Sequence, residues 1–231
     1  MSGVNLSAFF ALNVDPSQAV PGTYNLALVL LSYLVACLGS YAFLQFATRI
    51  AELRDTGLRY SWLAIGAVAM GAGIWAMHFV GMLAYVLPIP VTYDPGITAL
   101  SVVPAILAAA VALHVVARPV VTTGRLLIGG TLMGAGIGAM HYTGMSAMRL
   151  DALVRYDPTL FGASIVVAVV LAVLALQARA WVRQRLPRKG QLQEVVGAAI
   201  LGFAVAAMHY TAMASTYCLA AGDRGAPAAR Q

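Results

Sequence analysis

The chain has 231 residues, 61% of them hydrophobic and 10% charged, with a mean hydropathy of +0.84. That balance excludes an ordinary water-soluble domain. It also turns the net charge of +6 away from nucleic acid and towards the two faces of a membrane.

In chain order, residues 1–23 read as a short outer segment whose Phe9, Phe10 and Leu12 touch the membrane surface. This segment lacks the basic stretch and small-residue cleavage site of a removable signal peptide. Six segments then reach the roughly 20 apolar residues that a spanning helix needs, at about 24–47, 60–87, 97–117, 126–148, 159–181 and 195–218. Helix 1 opens at Tyr24-Asn25, helix 3 at Tyr93-Asp94-Pro95 and helix 5 at Tyr156-Asp157-Pro158. Asn or Asp followed by an early helical residue such as Pro is an N-cap pattern, and the tyrosine suits an interfacial belt. The predicted fold is therefore all-α and integral to the membrane. Six helices form three parallel two-helix repeats, at about 24–87, 93–148 and 156–218, in a pseudo-threefold bundle within a domain over 24–218. A polar tail occupies 219–231.

Basic residues set the orientation. Arg49, Arg54, Arg59, Arg118, Arg125, Arg179, Arg183, Arg185, Arg188 and Lys189 follow the first, third and fifth helices, ten against the four on the other side (Arg149, Arg155, Arg224 and Arg230). The positive-inside rule then makes the ten cytoplasmic and both termini external. Trp62 and Trp181 read as inner-belt anchors and Trp75 as a packing residue. Cys37 and Cys218 fall at different depths and form no disulfide.

One hexapeptide occurs three times: Met77-His78-Phe79-Val80-Gly81-Met82, Met140-His141-Tyr142-Thr143-Gly144-Met145 and Met208-His209-Tyr210-Thr211-Ala212-Met213. The histidines are 63 and 68 residues apart, the period of a two-helix unit. Seven residues before each stands a glycine (Gly71, Gly134, Gly202), and three after stand Gly81, Gly144 and Ala212. Small residues on one stripe are how membrane helices approach each other. The histidines are accordingly expected to face the bundle interior in one layer, with Gly130, Gly134 and Gly138 as the longest packing ladder. His114, outside the pattern, reads as a packing or interfacial residue.

A single Met-His pair is readily a packing pair hydrogen-bonded to a neighbouring helix. Three at one depth point to function, because ionisable groups inside a membrane usually mark it. The candidate ligands are His78, His141 and His209 with Met77, Met82, Met140, Met145, Met208 and Met213. Imidazole with thioether suits Cu(I), and uncharged ligands leave a monovalent ion less to desolvate than a divalent one. Zinc would be expected to recruit Cys, Asp or Glu, which the motif lacks. Asp94 and Asp157, each 16 residues after a motif histidine, read chiefly as caps. A supporting role at the outer rim of the site stays open for them.

Three copies of Met-His-aromatic-(Thr/Val)-small-Met on alternate membrane helices resemble the MHYT domain of bacterial signalling proteins, over nearly the whole chain. The resemblance implies a non-enzymatic sensor that binds copper through Met77, His78, Met140, His141, Met208 and His209 and responds to oxygen, carbon monoxide or nitric oxide. Phe79-Val80 replaces Tyr-Thr in the first copy and Ala212 replaces glycine in the third; both changes spare the proposed ligands. Family members usually continue through a seventh helix to a cytoplasmic output domain. Residues 220–231 are too short and polar to span, which leaves open signalling through a separate cytoplasmic or membrane partner, a different mode of signalling, or a shortened gene product. Three other readings stay open: haem held by two facing histidines, a copper carrier, and a metal-free scaffold.

Overall fold

The computed structural model describes residues 9–11, 19–118, 122–185 and 190–220. Leu12, Arg188, Lys189, Arg224, Arg230 and the tail from 221 lie outside them, as do the side chains of Arg179, Trp181, Arg183 and Arg185.

The first unit is β1 (Thr23–Tyr24), α1 (Leu26–Glu52), α2 (Thr56–Ala84) and β2 (Tyr85–Val86). The second is β3 (Thr92–Tyr93), α3 (Pro95–Leu100), α4 (Val102–Val116), α5 (Thr123–Ser146) and β4 (Met148–Arg149). The third is β5 (Ala152–Tyr156), α6 (Pro158–Arg185), α7 (Gly190–Met213) and β6 (Thr216–Ala220). The segments α3 and α4 make one span broken at Ser101. Pro104 has no N–H for the carbonyl four residues back, so the helical ladder lapses there.

The expected caps form. Asn25 Oδ1 accepts from the Ala27 and Leu28 amides, Asp94 Oδ1 from Ile97 and Asp157 Oδ1 from Leu160. The amides of the same three cap residues donate to Ala84, Ala147 and Ser215 carbonyls at 2.9, 2.8 and 2.8 Å. Each repeat is thus tied head to tail at one end of the bundle.

Among the described residues five helices are long and apolar enough to cross a membrane: α1, α2, the α3–α4 span, α6 and α7. Helix α5, of 24 residues, owes its lower apolarity to seven glycines. The six long helices pack in a closed cycle, α1 on α2, α2 on α4, α4 on α5, α5 on α6, α6 on α7 and α7 on α1. The histidine-bearing helices α2, α5 and α7 also meet one another. This is an all-α, multi-pass membrane protein. Its outward faces carry leucines such as Leu26, Leu30, Leu34 and Leu38, as lipid contact requires.

Strands were not among the sequence expectations. Each repeat is closed by its own two-stranded antiparallel ribbon, pairing Tyr24 with Tyr85, Tyr93 with Met148 and Tyr156 with Thr216. The tyrosines read as interfacial anchors are therefore strand residues. The ribbons end the helices early, at Ala84, Ser146 and Met213 rather than near 87, 148 and 218. Phe9 packs on Tyr156 at 4.8 Å and on Phe161 at 5.6 Å, so it covers this end of the third repeat.

The glycines seven residues before the histidines are helix crossings. A Cβ on Gly71 would lie 2.7 Å from Ile106 Cα, on Gly134 2.5 Å from Val169 Cα, and on Gly202 3.0 Å from Cys37 Cα. Backbone cannot swing away as a side chain can. Gly129 instead faces the Val115 side chain at 3.0 Å. Gly134→Leu should therefore lower thermal stability in detergent well beyond Gly129→Leu, on the scale of the 1–3 kcal/mol typical of overpacking, about the least expected here. Equal losses would contradict the packing. The ladder expectation needs one correction: Gly130 and Gly134 meet α6 backbone, but a Cβ on Gly138 would meet nothing within 4 Å.

Candidate metal centre

The layer is built by three helices that each deliver one histidine near the ribbon end. From His78 to the end of α2 is six residues, or about 9 Å of helix. His78, His141 and His209 are all fully buried. Their ring centroids are 4.9, 5.1 and 5.2 Å apart with interplanar angles of 82, 86 and 72°, edge against face. One ligand nitrogen from each ring falls within 4.8 Å of the other two.

The His78 and His209 Nδ1 atoms stand 3.2 Å apart. In neutral rings one of them must donate and the other accept. Among the described residues His78 Nε2 and both nitrogens of His141 have no hydrogen-bond partner, while His209 Nε2 faces the Gly81 backbone. A buried polar atom left unpaired typically costs about 1–3 kcal/mol. That is a large fraction of a domain's net stability of about 5–15 kcal/mol.

Two of the small residues three after the histidines, Gly81 and Gly144, are seats for imidazoles of other repeats. A Cβ on Gly81 would lie 2.4 Å from His209 Nε2, and one on Gly144 2.4 Å from His78 Nε2. Two of the rings, His209 and His78, thus reach across the centre onto another histidine helix. The motif glycine is there to admit a ring.

Methionines lie on both sides of the layer. Met77, Met140 and Met208 belong to the main core, with Phe43, Ile74 and Ile137. Met82, Met145 and Met213 join Cys218, Tyr156 and Met148 in a smaller cluster under the ribbons. All six are at most 4% exposed. Both cysteines are free, and burial raises the Cys218 thiol above its ordinary value, favouring the protonated form.

Asp94 and Asp157 spend their hydrogen bonds on helix caps, and Asp94 also meets Arg149 at 3.3 Å. The Ile97 amide, with help from Arg149, holds the Asp94 carboxyl below its usual range. No hydrogen bond of either reaches an imidazole. On the ribbon face a cavity of about 650 Å³ reaches Tyr142 and Met145 of the second motif, with Arg149 and Asp151 at its walls.

Sequence reading missed a further set. Ser32, Ser101 and Ser164 are buried, each seven residues after a cap residue. The Tyr142 hydroxyl meets Ser164 at 2.6 Å and Tyr210 meets Ser32 at 2.8 Å, each tying a histidine helix to the next helix round the cycle. All three serines donate to the carbonyl three residues back, and Phe79 leaves Ser101 with that bond and no tyrosine hydroxyl. The spacing from cap to serine was the available signal.

The fold is thus a multi-pass membrane bundle whose three motif histidines meet, fully buried, at its centre. The family model described as "Bacterial signalling protein N terminal repeat", MHYT, matches residues 71–129 and 134–191. The chain belongs to the MHYT family. It is 44% identical over 209 residues to the bifunctional diguanylate cyclase/cyclic di-GMP phosphodiesterase MucR of Pseudomonas aeruginosa, covering 87% of this chain and 30% of that protein. It is 40% identical over 193 residues to the cyclic di-GMP phosphodiesterase NbdA of the same organism, covering 84% of this chain and 24% of NbdA. To the signaling protein YkoW of Bacillus subtilis it is 34% identical over 197 residues, 83% of this chain and 24% of YkoW. The chain thus spans less than a third of the curated relatives it matches. No solved structure matches it.

Proposed function

We propose that this chain is the sensory module of a bacterial membrane signalling system, holding one copper ion at the meeting point of its three repeats. The observation that carries this reading is the convergence of His78, His141 and His209, fully buried, with His78 Nε2 and both nitrogens of His141 unpaired among the described residues. Their lone pairs suit a metal, and no carboxylate stands in the layer to neutralise a divalent one. Copper supplies a soft ion that changes redox state and takes up small diatomic ligands. Met77, Met82, Met140, Met145, Met208 and Met213 keep the surroundings dry and polarisable, and offer thioethers should the ion need them.

The protein's own part is mechanical. Each histidine follows a close helix crossing seven residues earlier, and His78 and His209 are seated on another repeat, so occupancy at the centre bears on all three hairpins at once. The Tyr142–Ser164 and Tyr210–Ser32 bonds carry a shift of α5 or α7 onto α6 or α1. Near-equal ring separations support the pseudo-threefold arrangement. We infer that catalysis in the relatives resides outside the matched region, since that region is 30% or less of their length. Haem fits poorly, because the rings touch edge to face with no gap for a macrocycle. The copper reading is tested by infrared spectroscopy of the Cu(I)-loaded protein under carbon monoxide. A C–O band present in wild type and absent in His141→Ala is expected; no band in either contradicts gas sensing at this centre.

The orientation proposal follows the basic residues. Reporter fusions after Arg54 and after Pro88 should read cytoplasmic and external in turn. The reverse pattern would invert the protein.

A further inference from the structure

At the end of the bundle opposite the ribbons, the α1–α2 turn meets the end of α4. A cavity of about 130 Å³ opens there, lined by Arg59, Arg118, His114 and Thr56 with Ile50 and Leu63 as apolar wall. A water needs about 10–15 Å³ of comparable space, so the cavity admits a group several atoms across. Arg118 donates to His114 Nε2, and neither Arg59 nor Arg118 has a carboxylate partner among the described residues. The acids nearest in sequence are used elsewhere. Glu52 lies 3.7 Å from Arg49, and Asp55 Oδ1 accepts the Leu58 amide at 2.7 Å to cap α2. Two guanidiniums therefore converge on a pocket with no anion of the protein's own to balance them.

The position decides the kind of anion. These residues stand where three spans end, and Trp62 on the same turn of α2 packs on Phe46 with Arg49 over its ring, as at a membrane interface. Guanidinium forks match phosphate oxygens in pairs. Thr56 adds a hydroxyl donor, and Ile50 and Leu63 suit the start of a hydrocarbon chain. Basic pockets between spanning helices on this side are a recurrent place for anionic headgroups. We propose that this cavity binds the phosphate of an anionic phospholipid headgroup, bridging α1, α2 and α4.

The test uses the full chain in uncharged detergent, with native mass spectrometry and thermal unfolding read against phosphatidylglycerol, phosphatidylcholine and inorganic phosphate. Phosphatidylglycerol should bind and raise the unfolding temperature where phosphatidylcholine and inorganic phosphate do not. Arg59→Gln and Arg118→Gln should each weaken binding about fivefold, and Arg49→Gln, paired with Glu52 outside the cavity, should leave it unchanged. Should the Gln variants fold poorly, Arg59→Lys and Arg118→Lys keep the charge but lose the fork, and weaker binding is again expected. Equal binding of phosphatidylcholine or free phosphate, or equal loss in Arg49→Gln, would overturn the proposal. Copper content is unaffected either way, so this result is separable from that of the metal centre.

Discussion

His78→Ala, His141→Ala and His209→Ala are each expected to lose most of the bound copper, and double variants should lose little more. The three rings share one space, with a nitrogen from each within 4.8 Å of the others, so removing one degrades a common site. Each change also opens a cavity at a fully buried position, and large-to-small core substitutions typically cost about 2–5 kcal/mol. Met145→Leu separates the two effects, because it keeps volume and apolarity while deleting the sulfur. Cu(I) competition titration with circular dichroism reads both quantities. Loss of one third of the copper in each histidine variant would mean three separate sites.

Gly144→Ala is expected to be harmful where Gly138→Ala, six residues earlier on the same helix, is not. A methyl at 144 enters the space of the His78 ring, 2.4 Å from Nε2, and that ring is itself wedged between His141 and His209. Overpacking of this kind typically costs about 1–3 kcal/mol, and it pushes one ring out of the trio. A methyl at 138 meets nothing within 4 Å, and Ala for Gly in a helix interior gains roughly 0.5–1 kcal/mol. Thermal unfolding and copper retention should therefore fall for Gly144→Ala, with Gly138→Ala stable and loaded. Matching behaviour of the two variants would deny Gly144 its role as a seat.

Much of this was legible because the lipid environment makes a simple code. Long apolar runs, Asn25, Asp94 and Asp157 ahead of helix starts, and a glycine stripe in register with the histidines gave the spans and the inward face of the motifs. The ribbons were hidden because Tyr24, Tyr93 and Tyr156 fit an interfacial belt as well as a strand. Gly81 and Gly144 looked like helix-packing positions because sequence spacing cannot distinguish a partner backbone from a partner imidazole. Gly138 belonged to the ladder by spacing, yet the stripe drifts round the helix and leaves it buried beside a gap, with nothing within 4 Å of a Cβ. The serines at 32 and 164 were overlooked because their partners Tyr210 and Tyr142 lie on other helices, and Ser101 because it has no tyrosine partner to mark it.

The measurement that bears most directly on the central claim is copper per chain in wild-type protein loaded anaerobically with Cu(I) and freed of excess, by elemental analysis against amino-acid quantitation. About one copper per chain, with zinc absent, is the predicted result for one shared trigonal set of imidazoles. No copper, or zinc in its place, would contradict it.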